Sequence, residues 1–443
     1  MMDFTPAGQI ADAVLYEGYI LYPYRASAQK NRLRWQFGVL APRFYSERIG
    51  SDPWAMQTEC IVEFEERTVV QIRLRFLQVQ ARTVEQRADH AGELFRPVDS
   101  MEIDGTDLVN WEEGVKREVA AIVELRSAFS RDEEIRFGFE GKTKARMMRN
   151  SEGKTEARIV QQSWPVSGRL AIGSCRVSGL SSLAKLRIRV ENDHPSNQEW
   201  QGRHEALRQS LIATHLLLGV EQGKFVSLLD PPERAAEAAS SCENLNTWPV
   251  LVGDCKNRDL MLSAPIMLYD YPAVAPESSG DFFDATEIDE LLALRTIALT
   301  DDEKREAKAT DEKGAKVLQR VEAMCGDAFA RLHGALRERS ATDALDEKAV
   351  RADGVSIATG SKVRLRPRLR QADAQDMFLD GRIAIVNRIV RDEESNTYVA
   401  VTLVDDPAAD LYEWHGRFHY FYLDEIEPLI APEATPLDPS RER

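Results

Sequence analysis

Cysteine is scarce in this chain and is never clustered. The 443 residues contain five cysteines, and no two of them stand in a CxxC pair. This spacing argues against a zinc knuckle or a thioredoxin-like redox pair. The odd number and wide spacing predict reduced thiols in a cytoplasmic protein, and neither a metal nor a cofactor is expected. The five residues are Cys60, Cys175, Cys242, Cys255 and Cys325.

Long apolar runs and the common catalytic motifs are also missing. No window of about 18 uninterrupted apolar residues is present, so a membrane-spanning helix is not expected. The first residues lack the basic and apolar regions of a secretory signal. No G-x-S-x-G elbow, Walker loop or dinucleotide-binding glycine fingerprint occurs. His204 and Glu205 resemble the start of HExxH, but Arg208 takes the place of the second histidine. We therefore expect a cytoplasmic protein that is not an enzyme.

Positive charge is in deficit. Lys and Arg number 57 against 73 Asp and Glu, which gives a formal net charge of −16. Such acidity disfavours nonspecific binding to nucleic acid or to anionic lipid. The hydrophobic fraction of 43% and the charged fraction of 29% are typical of a globular protein. The length predicts two or three domains.

Apolar and polar residues alternate through much of the first half of the chain. Residues 70–76 and 183–191 have the period of two that is typical of strands with one solvated face. The aromatic run at 14–24 is also predicted as a strand, whereas the apolar spacing within 111–130 favours a helix. Residues 1–235 are therefore predicted to form a β-rich, sandwich-like domain, with one helix near 202–219.

The remainder of the chain completes a predicted α+β protein. Residues 236–340 are expected to contain a strand pair, a proline-pinned acidic loop and a helical arm. Capping-box patterns begin at Asp284 and at Thr300, and the second is expected to open one long helix. Residues 341–359 read as a linker. Short alternating strands then predict a small SH3-like β-barrel at 360–430, followed by a tail at 431–443.

The most unusual segment is SAPIMLYDYPAVAPESSGDFFDATEIDELLALR, residues 263–295. Its prolines restrict φ and its acids precede a helix, so we expect a preorganised surface that binds a basic partner. An alternative is a metal-dependent enzyme that uses the acidic cluster at 277–290, with Asp281, Asp284 and Glu287 as ligands. The candidate partner-binding residues are Asp270, Tyr271, Glu277, Asp281, Asp284 and Glu287.

Two further clusters are candidates for binding. Lys362, Arg364 and Arg366 alternate on a predicted strand and would form a basic stripe. This stripe could bind an anion or nucleic acid through the barrel, or it could protect an exposed sheet edge. The aromatic side chains near the N-terminus could form a binding platform, or they could pack a core with their polar tips outward. They are Tyr16, Tyr19, Tyr22, Tyr24, Trp35 and Phe37.

Several strings between residues 13 and 429 resemble a bacterial protein family of unknown activity. They include YEGYILYPYRASAQKNRLRWQFGVL, FVSLLDPP, NTWPVLVG, APIMLYDYPAVAPESSGDFFDATEIDELLALR and FHYFYLDEIEPL. Genes of that family lie in operons for uptake nickel–iron hydrogenases, including high-affinity types. The resemblance implies a role in hydrogenase assembly, maturation or stabilisation, with a hydrogenase subunit or maturation factor as the partner. It transfers no catalytic residue.

Overall fold

The structure is a computed structural model. It describes residues 2–50, 52–88, 94–129, 131–195, 200, 202–274, 280–284, 289–324, 349–352, 355–366, 379, 381–391, 397–404 and 419–429. The chain divides into two compact units, residues 1–333 and residues 334–443. The sequence predicts a separate middle region at residues 236–340. Residues 236–333 of that region belong to the first unit.

One eleven-stranded sheet dominates the first unit. Seven strands follow one another in the order β12, β13, β11, β1, β10, β9, β6, whereas β2, β5 and β8 pair with other parts of β1, and β7 pairs with β8. A separate hairpin joins β3 and β4. The strands are β1 (Ala55–Arg87), β2 (Phe95–Val98), β3 (Ser100–Ile103), β4 (Thr106–Val109), β5 (Trp111–Glu124), β6 (Glu133–Phe139), β7 (Lys142–Arg149), β8 (Thr155–Ser163), β9 (Val166–Arg176), β10 (Leu183–Asn192), β11 (Ile212–Val226), β12 (Trp248–Val252) and β13 (Leu260–Ala264).

Strand β1 is the spine of this sheet. Its 33 residues pair in turn with β10, β11, β5 and β8, all antiparallel. The β-rich N-terminal domain that the sequence predicts is therefore built on one large sheet, in which β1 pairs with other strands along most of its length. Alternate residues of β1 face the main core, including Val62, Ile72 and Phe76. The strands predicted at 70–76 and at 183–191 are present in β1 and β10. The solvated face predicted at 70–76 is wrong, because Gln71 and Arg75 on that side are also buried.

Eight described helices accompany the strands. Those in the first half are α1 (Thr5–Tyr16), α2 (Gln29–Arg32), α3 (Arg43–Ile49), α4 (Arg203–Leu207) and α5 (Ala236–Ser240). Those in the second half are α6 (Asp289–Ile297), α7 (Asp301–Thr310) and α8 (Glu312–Glu322).

The N-terminal segment corrects a prediction. The strand expected at 14–24 is absent from these described residues, because helix α1 runs to Tyr16 and turns follow it. Ala7, Ala11 and Val14 recur at helical spacing and are buried. They pack with Leu217 of β11 and with β12 and β13 in a second core.

The helix predicted at 202–219 is also wrong. Only Arg203–Leu207 is helical, and residues 212–226 form β11. Leu216 and Leu218 face the main core, whereas Leu217 faces the core beneath α1. Both sides of this strand are buried, so the sequence is apolar throughout and its period of two is hidden. Strand β5 likewise replaces the helix favoured at 111–130, because it pairs with β1 along its whole length.

The capping box predicted at Thr300 is confirmed. Thr300 accepts a hydrogen bond from the backbone N–H of Glu303, and the Glu303 carboxylate accepts one from the backbone N–H of Thr300. The single long helix expected here is broken, because Asp311 has extended backbone angles and begins α8 as its N-cap.

We expect Thr300→Ala to lower the free energy of unfolding by about 1 kcal/mol, because it removes the side-chain oxygen that caps α7. Urea unfolding monitored by circular dichroism measures the loss. Thr300→Ser keeps the hydroxyl and serves as the control. Equal losses in both variants would mean that the methyl group, and not the cap, supplies the stability.

The second unit is β-rich. Its strands are β14 (Ala349–Ala352), β15 (Val355–Ala358), β16 (Lys362–Leu365), β17 (Ile383–Arg391), β18 (Thr397–Leu403), β19 (His419–Tyr422) and β20 (Ile426–Pro428). Strands β14 and β15 form a hairpin within the stretch predicted as a linker. The other five form an antiparallel sheet in the order β19, β18, β17, β16, β20. Among the described residues, these five strands do not close into a barrel, so the barrel is not found.

The described cysteines are free, and no described helix is a candidate membrane span. Cys60 is buried, Cys242 is half-buried, and Cys175 and Cys255 are exposed. No helix in the described ranges is long and apolar enough to cross a membrane.

Candidate functional site

Asp270 and Tyr271, which lie within the segment 263–295, are held in place by hydrogen bonds. The Asp270 carboxylate accepts hydrogen bonds from Ser227 Oγ at 2.5 Å and from the backbone N–H of Leu251 at 2.7 Å. The backbone N–H of Tyr271 donates to the carbonyl of Leu251 at 2.7 Å, and Tyr271 has a φ of +55°. Asp270 and Tyr271 therefore attach the segment to β12, and both carboxylate oxygens of Asp270 accept hydrogen bonds within the chain.

Residues 280–284 are held by the N-terminal region and by α8. The backbone carbonyl of Phe282 accepts from Tyr24 Oη at 3.2 Å, and that of Phe283 accepts from the backbone N–H of Gly18 at 2.9 Å. Arg320 of α8 donates to the carbonyl of Asp281 at 2.5 Å. These contacts give this part of the segment one defined shape.

The predicted acids have different environments. Asp281 is exposed, whereas Asp284 is 3% exposed and forms an ion pair with Lys30. The first described residue of α6 is Asp289, five positions after Asp284. Asp284 therefore links the segment to α2, and its carboxylate is buried. Glu277 and Glu287 lie outside the described residues.

Large apolar side chains, more than acids, characterise the surface of this region. Met267 is 79% exposed and Tyr269 is 87% exposed. On α6, Leu292, Ala293 and Thr296 are buried. The side chains that remain exposed define what we call the display surface: Met267, Tyr269, Val274, Leu291, Leu294 and Ile297. Exposed apolar side chains that form a contiguous patch are typical of protein-binding surfaces.

An acidic cleft lies next to residues 280–284. It has a volume of about 140 Å³, and its lining includes Glu17, Asp281, Asp284 and Asp289. Within the ranges that the structure describes, no three Asp, Glu, His or Cys side chains are grouped as in a metal site. Glu287, one of the three ligands predicted for a metal in the cluster at 277–290, lies outside those ranges.

The predicted basic stripe lies on β16 and just after it. Arg364 and Arg366 approach the carboxylate of Glu427 on β20, at 3.7 and 3.4 Å. Lys362 is exposed. The ion pairs offset part of the positive charge, so the geometry gives no separate support to anion or nucleic-acid binding here.

Three of the N-terminal aromatic residues, Tyr19, Tyr24 and Trp35, are buried, and the hydroxyls of the two tyrosines form buried hydrogen bonds. Tyr19 and Trp35 are buried, and Tyr19 Oη donates to the carboxylate of Asp311 at 2.9 Å. Trp111 Nε1 donates to the same oxygen of Asp311 at 3.0 Å. The prediction of outward polar tips is wrong for Tyr19, because a buried carboxylate from α8 supplies its acceptor.

Beside this core lies a cleft that sequence reasoning did not find. Its volume is about 420 Å³, and Arg32, Arg34, Trp35, Trp111, Glu112 and His204 are among its lining residues. These residues come from the N-terminal region, from β5 and from α4. The only signal in the sequence is the adjacent pair Arg34-Trp35 within an aromatic stretch.

Glu112 is the acidic group of this cleft. Its carboxylate accepts from Arg208 Nε at 3.0 Å and lies 3.0 Å from His204 Nε2. Burial alone would raise the pKa of Glu112, but the hydrogen bonds and charges of His204 and Arg208 hold that pKa below its ordinary value. Glu112 is therefore ionised at neutral pH and is already engaged by two basic residues.

Comparison with known proteins adds no identification. No protein-family model matches the chain, and no curated protein sequence matches it either.

Proposed function

We propose that this chain is a non-enzymatic, cytoplasmic accessory protein that supports the assembly, maturation or stability of a nickel–iron hydrogenase through protein contacts. The partner is a hydrogenase subunit or a maturation factor. The display surface and the neighbouring exposed Asp281 make the contact. A hydrogenase is proposed because of the sequence resemblance, whereas the protein-binding role is proposed because of the display surface.

The observation that carries the proposal is the exposure of large apolar side chains in one short region. Six of them lie between residues 267 and 297. Leaving such side chains in water forgoes roughly 1.5–3 kcal/mol each relative to burial. A partner that covers them recovers part of this free energy, and Tyr is among the residues that contribute most at interfaces.

The local structure also supports binding without a large ordering cost. Asp270 is fastened to β12, and residues 280–284 are tied to Gly18, Tyr24 and Arg320. A preorganised surface loses less conformational entropy on association. The net charge of −16 and the exposed Asp281 favour a partner with a basic rim.

We further propose that residues 360–430 are an SH3-like module that acts as a second binding site. The described strands support this, because the last strand, β20, returns to pair with the first, β16, and β16 to β19 follow one another in sequence order. A short 3₁₀ turn at Leu423–Glu425 precedes β20. SH3 domains bind proline-rich segments of other proteins.

A gene deletion tests the proposal in the cell. We expect loss of this protein to reduce hydrogen uptake and the amount of mature large subunit, and complementation with the wild-type gene to restore both. Complementation with Met267→Ser/Tyr269→Ser should fail although the variant accumulates normally. Normal hydrogen uptake in the deletion strain would refute the hydrogenase role.

A further inference from the structure

The guanidinium of Arg34 is held in an unusual environment at the cleft that Trp35 and Trp111 line. Its carbon lies 4.0 Å from the ring centre of Trp35 and 3.7 Å from that of Trp111. Both rings are close enough for cation–π contact with the guanidinium, whose N–H groups can form hydrogen bonds in addition.

The hydrogen bonds of Arg34 leave donors unused. Nη1 donates to the carbonyl of Tyr19 at 2.9 Å, and Nη2 donates to the carbonyl of Glu112. A guanidinium has five N–H donors, so these two bonds do not saturate it. None of the described carboxylates forms an ion pair with Arg34.

The charge of Arg34 is also incompletely balanced. Burial lowers the pKa of Arg34 to about 10, although Glu112, Glu113 and Asp311 lie near enough to favour the charged form. A buried cation normally has a direct anionic partner, because desolvation of an unpaired charge is costly.

Trp35 provides a second, independent observation. Its side chain lines the cleft and is 3% exposed, and its indole Nε1 has no acceptor among the described residues. Its backbone has a φ of +62°, a left-handed conformation that costs free energy in a residue with a bulky side chain. Strained residues and unsatisfied buried donors both concentrate at binding sites.

From these contacts we infer that the cleft is a binding site for a carboxylate, which accepts hydrogen bonds from the guanidinium edge of Arg34 and from Trp35 Nε1. A carboxylate matches the planar fork of arginine. It carries a single charge, which suits a cleft that already contains the Glu112 carboxylate better than a phosphate dianion does. The ligand is a small organic acid or the C-terminal carboxylate of a peptide. This inference is independent of the display surface.

Fluorine NMR of the intact chain tests the inference with 4-fluorobenzoate and its neutral isostere 4-fluorobenzamide. We expect the acid to bind at least tenfold more tightly than the amide, because only the acid pairs with the buried cation. Equal binding of the two probes, or binding of neither, would overturn the proposal. This comparison uses the wild-type protein and needs no variant to fold.

Trp35→Phe then tests the second donor, since it keeps an aromatic ring beside Arg34 but removes the indole N–H together with the fused ring that carries it. We expect about a tenfold weaker affinity for 4-fluorobenzoate. Trp248→Phe, on β12, changes an exposed tryptophan and should leave the affinity unchanged. Equal affinities of Trp35→Phe and wild type would show that Nε1 is not a ligand donor.

A peptide pair separates the two sources of the carboxylate. Gly-Gly-Phe with a free C-terminus and the same peptide as its amide are titrated against bound 4-fluorobenzoate. Displacement by the acid alone supports the carboxylate site and identifies a chain terminus as an acceptable ligand. Displacement by both peptides alike contradicts recognition of the carboxylate.

Discussion

Asp311→Ala is expected to lower the free energy of unfolding by about 4 kcal/mol. Asp311 is buried, and one of its carboxylate oxygens accepts from both Tyr19 Oη and Trp111 Nε1. The other oxygen accepts from the backbone N–H of Lys313 at 2.7 Å and caps α8. The alanine variant leaves two buried donors without an acceptor and removes a helix cap, and each of these losses costs about 1 kcal/mol or more.

Denaturant unfolding at neutral pH measures this effect. Asp302→Ala is the matched control, because Asp302 is an exposed acid at the start of α7 and its side chain is 85% exposed. The control should unfold as the wild type does. If Asp311→Ala were as stable as Asp302→Ala, the buried carboxylate would not join the N-terminal region, β5 and α8 as described.

His215→Asn is expected to remove part of the loss of stability on acidification. His215 is fully buried, its Nδ1 lies 2.8 Å from the carbonyl of Ala213, and its Nε2 has no partner among the described residues. Burial, together with the charge of Arg75, lowers the pKa of His215 to about 3. Asparagine can donate a hydrogen bond like that of Nδ1, and it does not titrate.

The direction of this pH effect on stability follows from the difference in proton binding by His215 between the folded and the unfolded chain. A histidine in the unfolded chain has a pKa of about 6.5, so below that pH the unfolded chain binds a proton that the folded chain excludes. Stability contributed by neutral His215 is therefore present above about pH 6.5 and is lost as the pH falls toward 3. Between pH 7 and pH 5 this histidine alone should cost the wild type about 2 kcal/mol.

Unfolding of both proteins at pH 7 and at pH 5 checks the prediction. The window stays above the range in which the nearby carboxylate Asp12 titrates, since the charges of Arg75 and Lys116 outweigh burial and lower the pKa of Asp12. The variant should lose about 2 kcal/mol less than the wild type over this interval. Parallel losses would mean that His215 takes up a proton in the folded state.

Sequence patterns predicted the local structure where one side of an element is exposed. Strand β10 alternates Leu186 and Ile188 with solvated basic residues, so its period of two is visible. The Thr300 cap is likewise local, because its partners lie three residues apart. By contrast, β11 is buried on both sides, and nothing in its apolar run distinguishes a central strand from a core helix.

In the candidate sites, too, some features are marked by the local sequence and others depend on contacts between distant residues. The segment that contains Asp270 and Asp281 was singled out from the sequence because prolines and acids mark it. The burial of Asp284 was not predicted, because its partner Lys30 lies 254 residues away. The Arg34 cleft depends on Trp111, which lies on β5, and no local sequence pattern predicts the contact between these two residues. Such sites become visible only when tertiary packing brings distant residues together.

Capture of purified hydrogenase subunits by the tagged chain tests the central claim most directly. Wild type is compared with Met267→Ser/Tyr269→Ser, which removes two side chains of the display surface, and with Ile122→Ser, which removes an apolar side chain that is 64% exposed on β5. We predict at least tenfold weaker capture by the double variant and unchanged capture by Ile122→Ser. Capture by the double variant as strong as that by wild type, or no capture by any of the three proteins, would contradict the account.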